Sequence, residues 1–113
     1  MSAKDFLRQA RKLQERIDQL EEACSRVPSG SSAQLSAQIE RERNRLNGVR
    51  AEILAVVSQI TDNTLATLLI AYYINGKTWE DVAEELHYSY RHVVRALHPR
   101  ALSAVEKILE KMS

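Results

Sequence analysis

Apolar positions in the first half of the chain alternate at spacings of four and three. Phe6, Ala10, Leu13, Ile17, Leu20, Cys24 and Val27 keep this grid, which is the seam of a long helix that packs along another. Residues 28–32, PSGSS, interrupt it with a residue that cannot continue a helix, a glycine and hydroxyls able to cap the next helix. Leu35, Ile39, Leu46, Val49, Ile53, Val56 and Ile60 then resume the grid, with Glu42 standing at one seam position. Two rods of similar length joined by a short loop predict an antiparallel, coiled-coil-like hairpin over residues 1–60. Neither rod covers its seam alone, so the hairpin is expected to self-associate as a homodimer or to bind a partner.

After Ile60 the periodic runs shorten. Thr61, Asp62 or Asn63 supplies an N-cap, Leu65, Leu68, Leu69 and Tyr72 form an apolar stripe, and Gly76 stands where a left-handed C-cap is wanted. Thr78 caps a fourth helix, with Glu80 and Asp81 complementing its dipole and Trp79, Val82, Ala83 and Leu86 facing inward. His87 and Tyr88 make a tight turn, with Tyr88 plugging it. Ser89 caps a fifth helix striped by Val93, Leu97, Ala101, Leu102, Val105 and Leu109. Pro99 is expected to bend or restart that helix near residues 98–101, because its ring opposes the carbonyl of Arg95. Residues 61–113 therefore read as a three-helix unit built around a helix-turn-helix, and the fold class is all-α.

Composition narrows the choice of function. Three Gly and two Pro in 113 residues suit helices rather than sheets, and 44% hydrophobic content fills one modest core, which excludes two large domains. Cys24 is the only cysteine, so an intrachain disulfide and a cysteine-based zinc site are excluded; its seam position reads as a buried structural thiol. No secretory leader pattern and no apolar run of about 20 residues occur, so a cytoplasmic protein with no membrane association is expected. Phosphate loops, nucleophile elbows and paired inward carboxylates are missing as well. The chain is read as a non-enzyme with no cofactor. His92 and His98 lie six residues apart on one helix, a spacing that points them apart and argues against a metal. Tyr72, Tyr73 and Trp79 have the spacing of core packing rather than of a stacking platform for single strands.

The net charge of +1 says little about a polyanionic partner, but its distribution says more. The fourth helix carries Glu80, Asp81, Glu84 and Glu85, whereas residues 86–105 contain no acid and hold Arg91, Arg95, Arg100, His87, His92 and His98. On a helical wheel Val93 and Leu97 point one way, while Arg91, Arg95 and His98 point the other. Such a division suits a recognition helix, whose buried stripe fixes it to the scaffold while its arginine forks reach guanine edges and phosphates in the major groove. A solvated helix face is the competing reading of three arginines. Ala83 at the helix crossing, the turn and Val93 at the core together favour the helix-turn-helix.

Residues 76–98, GKTWEDVAEELHYSYRHVVRALH, resemble the region-4 helix-turn-helix of sigma-70-type factors, and residues from about 72 onward resemble small phage-encoded regulators with such a C-terminus. The resemblance implies promoter or operator binding and transcription regulation, with double-stranded DNA as partner and bacterial RNA polymerase as a further candidate. It assigns base contacts to Tyr90, Arg91 and Arg95. Ser89, His92 and Val94 fall where relatives meet or flank phosphates, and Lys77, His98 and Arg100 are further candidates for backbone contact. Val94 departs from the usual basic or polar residue, His87 stands where glycine is usual, and Pro99 lies one residue beyond the pattern. Nothing corresponds to the domain with which a complete sigma factor grips polymerase. The alternative is a protein-interaction module, binding polymerase or serving as a phage packaging adaptor, whose helix-turn-helix does not bind DNA.

Overall fold

The computed structural model of the chain describes residues 2–113. Helix α1 spans Ala3–Arg26 and α2 spans Ser32–Val57. Helix α3, Asn63–Leu69, runs on into a π-helical turn, Ile70–Ile74, and α4 is Trp79–Leu86. The last helix, α5, is continuous: Tyr90–His92, a second π-helical turn Val93–Leu97, and the long arm His98–Met112. The architecture is all-α, a long antiparallel hairpin followed by three shorter packed helices. Among the described residues, no helix is long and apolar enough to cross a membrane.

The caps at Asp62, Thr78 and Ser89 are where the sequence puts them and Ser2 adds another, whereas Ser31, at the N-cap of α2, makes no side-chain cap bond. Ser2 Oγ accepts the amide of Asp5, Asp62 Oδ1 accepts those of Thr64 (3.0 Å) and Leu65 (3.2 Å), Thr78 Oγ1 that of Asp81, and Ser89 Oγ that of His92. Each satisfies a donor that has no partner inside its helix.

The hairpin closes its seam within one chain. Phe6, Ala10, Leu13 and Ile17 of α1 meet Ile39, Leu46, Ile53 and Val56 of α2, all buried, while Leu20, Cys24, Val27 and Leu35 toward the tip are half-buried. At the polar seam position, Glu42 lies 3.7 Å from Arg16, and Arg50 donates to Gln14 at 3.0 Å. The open seam that motivated a homodimer is thus filled intramolecularly.

Helix α1 also buries Ala3, one step before Phe6 on the seam, and Leu7, which lies off it. They belong to the same core as Leu68, Leu69, Tyr73, Val82, Val93, Ala101 and Val105, so buried residues on both sides of position 60 form one apolar interior. Two polar ties reinforce the join. The amide of Ala3 donates to Glu106 Oε2 at 2.9 Å, and Arg11 donates to the carbonyl of Tyr72 at 2.8 Å with its guanidinium 4.2 Å from the Tyr72 ring centre.

Pro99 does not end the last helix. Helical dihedrals continue through Leu97 and His98, and the hydrogen-bond ladder changes instead: the amide of His98 reaches back five residues to Val93. Widening the turn accommodates a residue with no N–H and relieves its ring from the Arg95 carbonyl. The arm beyond it packs on α3, α1 and α2.

Candidate nucleic-acid interface

The turn between α4 and α5 is built by its backbone. His87 adopts the left-handed conformation, φ 62° and ψ 36°, where a residue without a β-carbon would be unstrained. Its amide bonds to Glu84 and that of Tyr88 to Ala83 at 3.1 Å, which closes α4 with a Schellman motif. Ala83 is buried at the crossing. Tyr88 does not plug the turn: it is 45% exposed, with its ring 5.1 Å from that of His92.

From this turn α5 emerges with Val93 and Leu97 buried and Tyr90, Arg91, His92 and Arg95 exposed. Ser89, Arg91, His92, Arg95 and Ala96 line one shallow hollow. No ion pair engages Arg91 or Arg95 among the described residues, whereas Lys77 is tied to Glu85, which occupies one candidate phosphate contact with an internal partner. Ser89 accepts the His92 amide through its Oγ; its hydroxyl proton stays available to donate. Val94 is half-buried, and Arg100 is exposed but lies past the π turn, away from the hollow.

His98 does not join the exposed stripe. Its Nε2 lies 2.7 Å from the Tyr73 hydroxyl, and its ring centre is 4.4 Å from that of Trp79, which stacks on Tyr72 at 3.7 Å. Burial, with the positive charges of Lys4 and Arg8 added, pushes the imidazole down to about 4; burial, with Tyr72 added, pushes the Tyr73 hydroxyl up to about 12. Both groups are neutral at neutral pH, so His98 supplies no cation for a phosphate. A regular α-helix advances about 100° per residue, and the wheel built on that step placed His98 outward. The wider π turn rotates it back against the aromatic cluster. The same cluster places Tyr72, Tyr73 and Trp79 in packing contacts.

Sequence reasoning missed the basic face of α1. Lys4, Arg8 and Lys12 are exposed, Arg11 is held at Tyr72, and Arg8, Arg11, Lys12, Glu15 and Tyr72 line a second hollow. The i, i+4, i+8 spacing of the three cations was the available signal; what placed them beside the aromatic cluster was the tertiary packing. Among the described residues, no three histidine, cysteine, aspartate or glutamate side chains converge as a metal site.

Comparisons of the chain with models of protein families, with curated proteins and with solved structures find no match.

Proposed function

We propose that the protein is a regulator of transcription that binds double-stranded DNA and enters the major groove with the start of α5. The observation that carries this reading is the acid-free, solvent-facing start of α5, where Tyr90, Arg91 and Arg95 are exposed, the two arginines without an ion pair among the described residues, opposite the buried Val93 and Leu97. Arginine forks offer two parallel donors to guanine edges, and a helix held from behind by its apolar stripe presents them in fixed register. Ser89 and the first amides of α5 lie where a phosphate is met. The Tyr90 ring, 49% exposed, is available for apolar contact with a base edge.

The test is fluorescence anisotropy of the full chain with a labelled mixed-sequence duplex over a range of salt concentrations. The reading predicts binding whose affinity falls steeply and log-linearly with salt, as counterions return to the phosphates. Absence of duplex binding at about 50 mM salt, where nonspecific electrostatic affinity is already high, would overturn it and leave the exposed stripe to a protein partner.

A further inference from the structure

A helix-turn-helix ordinarily sets its first helix across the phosphate backbone. Here that helix, α4, exposes Glu80, Asp81, Glu84 and Glu85, and its one flanking lysine, Lys77, is neutralised by Glu85. A phosphate strand laid along α4 would meet carboxylates, so a backbone contact on this side must come from another element.

We propose that the exposed face of α1 formed by Lys4, Arg8 and Lys12 is a second phosphate-binding surface, gripping the DNA backbone that flanks the groove entered by Tyr90, Arg91 and Arg95. The inference rests on the DNA-binding reading above and adds to it a part of the hairpin that the helix-turn-helix alone does not include.

Four observations support it. Lys4, Arg8 and Lys12 recur every four residues, form a row about 12 Å long at 1.5 Å per residue, and make no ion pair among the described residues. The row can meet more than one phosphate, since each strand of the duplex presents one per about 3.4 Å of axis. It is rigidly placed: Arg11 is bonded to the Tyr72 carbonyl and stacked on its ring, and Ala3 is bonded to Glu106 of α5. It joins the helix-turn-helix through a chain of ring contacts: Arg11 lies over Tyr72, Tyr72 stacks on Trp79 at the start of α4 at 3.7 Å, and Trp79 lies 4.4 Å from His98 of α5. The hollow lined by Arg8, Arg11 and Lys12 also contains Glu15, a single carboxylate among three cations.

The experiment compares salt slopes of anisotropy titrations on a selected site and a scrambled duplex of equal length. The variants are Lys4→Gln/Arg8→Gln/Lys12→Gln, Arg91→Ala/Arg95→Ala, and Lys107→Gln/Lys111→Gln as a control of equal type on the far arm of α5. The α1 variant is expected to lose affinity about equally on both duplexes, roughly ten-fold or more near 100 mM salt, and to lower the slope by about two to three, while discrimination between the duplexes is kept. Arg8→Lys, which keeps the charge, is expected to keep the slope; circular dichroism of each variant reports folding. If the wild type binds, Arg91→Ala/Arg95→Ala loses discrimination and the folded α1 variant keeps the full slope, the α1 surface is a solvated face and this inference falls while the groove reading stands. If the wild type does not bind either duplex, both fall together.

Discussion

His87 holds a conformation that most side chains avoid. With φ at 62°, it carries the strain of a β-carbon in the left-handed region where glycine carries none. Because the residue is exposed and closes α4 through its backbone, His87→Gly is expected to raise unfolding stability by about 0.5–1 kcal/mol, seen as a higher urea midpoint; a lower midpoint would mean the imidazole makes a contact worth more than the strain. His98 behaves oppositely with acid. Its folded imidazole titrates near 4 and an unfolded one near 6.5, so the unfolded chain takes up the proton first as pH falls. The stability it contributes is therefore whole above about pH 6.5, declines between 6.5 and 4, and is gone below, with a ceiling of about 3 kcal/mol. Urea midpoints at pH 7 and pH 5 should differ more for the wild type than for His98→Gln, and equal differences would contradict the burial argument. Tyr73→Phe, which removes the hydroxyl 2.7 Å from His98, should cost about 1 kcal/mol.

At the scale of elements, both π turns answer the same geometric need. Leu65, Leu69 and Tyr73 are buried at intervals of four, as are Val93, Leu97, Ala101 and Val105. Four residues of a regular α-helix overshoot a full turn by about 40°, so a stripe with this spacing drifts off the core unless one turn is widened. Pro99→Ala is therefore expected to leave the π turn at Val93–Leu97 in place and to change stability by no more than about 1 kcal/mol, since packing as well as the missing donor holds it. Loss of that turn in a crystal structure of the variant would assign it to proline alone. The interval of four was readable in the sequence, yet a wheel drawn at a constant 100° hides its consequence. That is why Tyr90 and Arg91, ahead of the π turn, and Arg95, within it, fall on the exposed side the wheel gives, and His98, beyond it, does not. The hairpin and the caps at Thr78 and Ser89 were legible because seam spacing and capping are local. The union of α1 with the later helices was not legible, because Leu7, Arg11 and Tyr72 are brought together only by the tertiary fold.

For the molecule as a whole, the closed seam alters what is expected of its association. The large apolar side chains left exposed among the described residues are Leu54, Tyr88, Tyr90 and Met112, none of them a seam position of the hairpin. Sedimentation velocity of the free protein at tens of micromolar is expected to give monomer, and a stable dimer would require a surface other than the hairpin seam. On the proposed reading, such a monomer would offer DNA one recognition helix together with the basic face of α1. The measurement that bears most directly on base reading is the titration of Arg91→Ala and Arg95→Ala, each against a duplex obtained by selection from random sequence and against its scrambled counterpart. Base recognition predicts that each variant loses about 1–3 kcal/mol on the selected site and little on the scrambled one, so that discrimination collapses at one or two base pairs. Equal losses on both duplexes would contradict it and reduce the start of α5 to a phosphate contact.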